Sequence, residues 1–332
     1  MAQLTSNTTA FIEAQQYSQF ILDNLHDYLL PEGLWRDVTD FGSGTTLNIK
    51  TVGTVTLQDA AEDVPLNFTN IDTGTITLAI TDYIGDAWKV SDDLREDGSQ
   101  VDTLMAMRAM ESTRALGENH ESRFLAVSNA AQTGADLNLV NARPHRWVGS
   151  AASNARTTTL ADFVAMKLSF DKANVPAGGR IAIVDPIVEA TLNSLITTTT
   201  TTSPDWQSGN AHFQGIVTEG FARDHKFVRN IMGFDVYTSN FLPKITAAEA
   251  IDASSYGLTS ETAAIGDVAN VFMCVADDSC KPIMHAWRRA PMTEGWRAEE
   301  ERGDKYQVTS RFGLGAQRVD TLGVLLTSPS AY

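Results

Sequence analysis

One stretch limits the possible folds more than any other. Between residues 45 and 81 the chain alternates threonine and other polar residues with single aliphatic ones: Leu47 and Ile49, then Val55 and Leu57, then Ile76, Leu78 and Ile80. A period of two puts each aliphatic set on one face of an extended strand. Between the strands lies Gln58-Asp59-Ala60-Ala61-Glu62-Asp63-Val64-Pro65, an acidic connector carrying a strand-breaking proline. The unit is a long β-hairpin with a charged tip and a thin apolar face. Two strands alone are marginally stable in water, so this arm has to lie on something else.

The rest of the chain is long enough to provide a substantial core. Its 332 residues are 43% hydrophobic and 20% charged, ordinary values for a globular fold. Twenty-five basic against 41 acidic residues give a formal net charge of -16. Such a chain does not bind nucleic acid through its overall field. Self-association must overcome repulsion by shape and apolar contact. The two cysteines, Cys274 and Cys280, are too few for a disulfide scaffold. The opening residues lack the basic and apolar regions of a signal peptide, and no run of eighteen apolar residues suggests a membrane span.

Residues 11 to 30 read as an amphipathic helix, broken by Pro31 and Gly33. Residues 99 to 132 read as one long helix of about 50 Å, opened by a Ser99–Asp102 capping pattern and braced by Arg108–Glu111 and Arg114–Glu118 pairs. It lacks a sustained heptad, so it should back a sheet and not form a coiled coil. From about residue 159 helices and strands alternate. A helix over 160–168, a buried strand Ile181–Val184 closed by Asp185-Pro186, and a helix over 187–196 imply a compact mixed lobe. The threonine run 197–202 is expected to be a surface loop. Further strands are expected at 234–237, 271–275, 306–311 and 319–326.

Chemistry-bearing motifs do not hold up. Asp40-Phe41-Gly42 has none of the companion motifs of a kinase. His120-Glu121 begins like a zinc-protease helix, but the second histidine position is Phe124, so His120 is expected to be a helix-surface or helix-packing residue. Cys274, Cys280 and His285 have the wrong spacing for a structural zinc site. Trp287-Arg288-Arg289 and Trp296-Arg297 pair aromatic with basic residues, yet Glu294 and Glu299 to Glu301 surround them, favouring a charged strand face. No catalytic residue, cofactor or metal ligand is assigned.

Two stretches carry a resemblance. Gly233-Phe234-Asp235-Val236-Tyr237-Thr238-Ser239-Asn240-Phe241-Leu242-Pro243 and Ser310-Arg311-Phe312-Gly313-Leu314-Gly315-Ala316-Gln317-Arg318-Val319-Asp320-Thr321-Leu322-Gly323-Val324-Leu325, together with the element order, resemble the major capsid proteins of tailed bacteriophages, the Hong Kong 97-type fold. The resemblance runs from about residue 10 to 328. It implies an α+β subunit with an N-terminal arm (1–40), an extended hairpin loop (41–84), a peripheral domain with a long spine helix (85–158), an axial domain (159–285) and peripheral C-terminal strands (286–332). It implies a non-enzymatic protein that self-assembles into hexamers and pentamers. These form an icosahedral head in the virion, built in the host bacterial cytoplasm around double-stranded DNA and away from membranes.

A separate scaffolding protein, a portal protein and a decoration or cement protein are the implied partners. The expected subunit-interface residues are Lys50, Asp59, Glu62 and Asp63 on the loop, with Arg288 and Arg289 as the basic patch that meets the acidic tip. Some family members crosslink through a loop lysine; Lys50 stands in the loop, but no asparagine or assisting glutamate can be matched, so no crosslink is expected. Gly42-Ser43-Gly44 is the expected hinge. The alternatives are an encapsulin-type shell around an enzyme cargo and a soluble hydrolase with dispersed catalytic residues.

Overall fold

The computed structural model describes residues 29–330 except 32, 40–43, 54, 56, 61, 64, 69, 99–100, 133, 135, 150–155, 198–226 and 259. Of the sequence-predicted helix over 11–30 only residues 29 and 30 are described, and they are not helical. The Ser99 cap, residues 198–202 of the threonine run and most of the Gly42-Ser43-Gly44 hinge also fall outside the described residues, while Thr197 closes the helix Pro186–Thr197.

In chain order, β1 is Arg36–Asp37, β2 Thr46–Val52, β3 Thr73–Ala79 and β4 Asp82–Ser91. Two helices follow, α1 Asp92–Asp97 and α2 Val101–Ala130, then β5 Arg146–Val148, α3 Leu160–Lys172, β6 Arg180–Val184 and α4 Pro186–Thr197. The remaining strands are β7 Phe227–Ile231, β8 Phe234–Thr238, β9 Glu249–Asp252, β10 Ser260–Ala263, β11 Val268–Cys274, β12 Ile283–Ala298, β13 Gly303–Ala316 and β14 Leu322–Thr327.

These strands make two main sheets. One has six strands in the order β5-β14-β11-β6-β8-β7, and the other has four in the order β1-β12-β13-β4. Isolated pairs are β2-β3 and β9-β10.

The six-stranded sheet is covered on both faces, so β6, β11 and β14 are buried along their whole length. Continuous apolar runs are what such strands require. On one face Ala182 and Val184 pack with Phe163, Met166 and Phe170 of α3 and Val188 and Leu192 of α4. Phe234 lies 5.5 Å from Phe170 and 5.3 Å from Phe272, edge to face. On the other face Ile181, Ile183, Val271 and Met273 meet Phe124 and Leu125 of α2 and Leu30 and Leu34 of the N-terminal segment.

Several of the buried polar groups are held by specific partners. The Arg146 guanidinium, 1% exposed, donates to Gly134 O, Asn129 Oδ1 and Glu249 Oε2 at 2.9, 2.9 and 2.6 Å. Asn270 Nδ2 donates to Leu325 O at 3.0 Å, while its Oδ1 accepts from Asp185 N at 2.8 Å. The start of α3 is fixed by Asp162, whose Oδ2 accepts from Thr159 N at 2.8 Å and whose Oδ1 accepts from Trp147 Nε1 at 3.2 Å.

Several expectations are adjusted. The predicted helix over 99–132 is preceded by a separate short helix, α1, capped by Ser91, whose Oγ accepts from Leu94 N at 3.3 Å. Arg108 reaches off α2 to Asp86 of β4 at 2.7 Å. Its charge therefore ties the helix to the sheet.

The strand at the C-terminal end also moves. β14 lies between β11 and β5 in the six-stranded sheet, so it does not join β13 in the four-stranded one. The expected division at residue 286 therefore does not follow the sheets: β12 starts at Ile283, and β14 belongs with strands from 146–148 and 180–274.

Candidate subunit-contact surface

The hairpin forms where the alternation predicted it, with Thr46 opposite Ala79 through to Val52 opposite Thr73. Its two halves have different surroundings. In the inner half Leu47, Ile49, Ile76 and Leu78 share one face and pack on Val38, Met284 and Ala286. Leu78 is fully buried. The opposite face carries threonines, Lys50 and Asn48, with Thr77 Oγ1 donating to Asn48 Oδ1 at 3.0 Å.

Close approach of β3 to β13 explains two glycines of the quoted closing motif. A Cβ on Gly313 would meet Ala79 O at 2.5 Å, and one on Gly315 would meet Leu78 Cδ1 at 2.9 Å. Only a residue without a side chain lets the hairpin base lie this near the sheet. The motif thus has a mechanical role that its spelling alone did not reveal.

Beyond Val52 the arm leaves the body. Gly53 N donates to Asp72 O at 2.8 Å, and farther out the Gln58 side chain replaces a ladder rung, donating to Asn67 O at 2.9 Å and accepting from Asn67 N at 3.0 Å. Val52, Val55, Leu57, Leu66, Phe68 and Ile71 are all exposed here, Phe68 and Leu57 almost completely, at 104% and 91%. Asp59, Glu62 and Asp63 are exposed at the tip, and Asp63 takes a positive φ of 65°. A patch of large apolar side chains rimmed by charge is the signature of a contact surface.

The predicted basic patch lies on β12. Arg288 is exposed; Arg289 is half-buried and paired with Glu294 of the same strand, which also accepts from Gln307 Nε2 at 2.7 Å. The pairing spans an irregular part of the β12–β13 ladder around Pro291, where the register shifts twice. Farther out the four-stranded sheet is stitched by charges. Arg297 bridges Asp92 at 2.8 Å, Arg95 bridges Asp304 at 2.6 Å, and Glu301 accepts from Lys305 and Lys89 at 2.5 and 2.9 Å. The two lysines pull the Glu301 carboxyl down to about 2.

Sequence reasoning missed one cluster. His120 of α2 and His285 of β12, far apart in the chain, meet in a buried aromatic box with Trp35, Phe124, Trp287 and Phe312. Of the two places expected for His120, helix surface or helix packing, it takes the second. Next to it Glu121 is also buried, accepting from Leu30 N at 2.8 Å and Ser239 Oγ at 2.6 Å. It ties the N-terminal segment, α2 and the loop after β8 together. No spacing in the sequence signals either contact.

A mixed subunit with a long helix across its waist and an uncovered arm has counterparts among solved structures. The chain aligns with the capsid of cyanophage P-SCSP1u (TM-score 0.65, 17% identity, 96% of this chain and 94% of that one). It aligns also with the mature capsid of bacteriophage PhiM1 (TM-score 0.68, 11% identity, 99% and 97%) and with the capsid of a native GTA particle (TM-score 0.63, 12% identity, 99% and 99%). At these identities the likeness is one of fold: the architecture is that of a capsid subunit. The sequence itself matches the family described as phage capsid protein over residues 72–326, and the chain belongs to that family. It is a structural protein of the virion shell, of a family whose members are not enzymes. No curated protein matches it.

Proposed function

We propose that this chain is the major subunit of an icosahedral head, closing into hexamers and pentamers by repeated head-to-tail contact, and that the outer half of its hairpin lies across a neighbouring copy. The observation that carries this reading is the row of exposed apolar residues from Val52 to Ile71 on an arm whose inner half is already seated on its own chain. Burying one such side chain is worth about 1.5–3 kcal/mol before ordering costs. Several per subunit, repeated around a ring, outweigh the repulsion between strongly acidic copies.

Asp59, Glu62 and Asp63 then face a basic surface of the neighbour, with Arg288 and Arg289 as its centre and Lys50 at the edge of the contact. DNA is held by containment, a scaffolding protein guides assembly, a portal occupies one vertex, and a decoration protein has the outer surface available.

The test is a double variant, Leu57→Asp with Phe68→Asp, co-expressed with the other head proteins. Its purified subunit should unfold at the wild-type urea midpoint, because neither side chain packs on its own chain. Electron micrographs should nevertheless show no closed particles. Particles of normal size and yield would refute the hairpin reading.

A further inference from the structure

The aromatic box around His120 and His285 is unusual in what it lacks. The two imidazoles lie 4.9 Å apart, edge to face. Trp287 stacks on His120 at 5.3 Å and meets His285 at 4.6 Å, and Phe312 of β13 closes the floor at 5.0 Å from His120. Trp35 forms the remaining wall, 4.9 Å from His120, 5.7 Å from His285 and 5.4 Å from Phe124. Nε2 of His120 and both ring nitrogens of His285 have no hydrogen-bond partner among the described residues.

Charged groups around the box are already engaged. Asp82 of β4 lies toward His120 but is paired with Arg123 of α2. Asp37 of β1 lies toward His285 but accepts from Thr39 N at 3.0 Å. Arg36, the other charge of β1, lies toward Asp278. Glu121, next to His120 in sequence, is committed to Leu30 and Ser239. A proton arriving on either ring therefore creates a buried cation whose cost the Asp82 and Asp37 charges offset only in part, and a second proton adds a like charge 4.9 Å away.

The walls differ in strength. β12 and β13 are joined by a long ladder, and α2 is thirty residues of helix. Trp35 is carried by a strap, residues 29–39, whose sheet pairing among the described residues is Arg36 with Met284 and Asp37 with His285. Val38 N to His285 O at 2.9 Å, Trp287 N to Thr39 Oγ1 at 3.1 Å and Leu30 N to Glu121 add to its polar attachment. We propose that the Trp35 strap is a proton-released latch: acid charges the His120–His285 pair, and residues 29–39 lift off α2 and β12.

Burial pushes both imidazoles down to about 4, and His120 adds to the effect at His285. The closed box therefore holds its full advantage above the ordinary histidine value of 6.5 and loses it as pH falls toward 4, below which the loss stops growing. Each imidazole multiplies the opening equilibrium by up to about tenfold per pH unit in that window.

Hydrogen exchange of residues 29–39 in the full-length chain, corrected for intrinsic rates, tests this between pH 7 and 4. The opening equilibrium of the wild type should rise by up to about a hundredfold per pH unit near pH 5. In the His120→Phe/His285→Phe variant it should stay flat. Unchanged protection of the wild type at pH 4, or the same loss in the double variant, overturns the latch. Should the variant fail to fold, ring-nitrogen NMR of the wild type decides: two of its six histidines titrating near 4 support the latch, and ordinary values for all six refute it.

Discussion

The six-stranded and four-stranded sheets differ in what holds them. The first is buried on both faces, and its strands β6, β11 and β14 contribute almost nothing but apolar packing and satisfied hydrogen bonds. Away from α2, the outer part of the second is an exposed ladder of alternating side chains, held laterally by Arg297, Arg95, Lys89 and Lys305 with their carboxylates. Surface pairs contribute little to stability in water, whereas filled interiors contribute much. One part of this subunit is thus stable in itself. The other is held together in its outer part mainly by charge pairs at its surface.

The largest expected effect is in the six-stranded sheet. Phe272→Ala removes a fully buried ring that contacts Phe163 and Phe234, and should cost about 3–5 kcal/mol in urea unfolding. A loss below about 1 kcal/mol would mean that this core is loosely packed. Next comes the junction of hairpin and sheet. Gly313→Ala drives a methyl against Ala79 O and should cost about 1–3 kcal/mol. Hydrogen exchange should locate the loosening in residues 73–80; uniform loosening would contradict the close-approach argument. Smallest is the outer ladder. Arg297→Gln breaks exposed pairs with Asp92 and Asp304 and should leave the urea midpoint unchanged within error. A clear destabilisation would erase the distinction between the two sheets.

Legibility in the sequence follows the same division. Ile181–Val184, Phe234–Tyr237 and the 45–81 hairpin could be read because their patterns are local and face one environment. β12 could not be read at its full length. Its outer part alternates weakly, carries Pro291 and is bent by two register shifts. β14 could be read as a strand but its place in a sheet could not, since pairing partners are set by long-range contacts that leave no local mark. Arg108 also bonds Asp86 of β4, whose carboxyl Ser112 and Arg108 hold below the usual range, and no helical spacing announces that contact. The acidic tip and the exposed Arg288 were found from composition. The His120–His285 box required the three-dimensional fold.

The place of β14 has a consequence for timing. It is the strand that joins β5 to β11, so the larger sheet stays split until residue 327 has left the ribosome. A nascent chain thus has its hairpin residues in the open well before the larger sheet is whole.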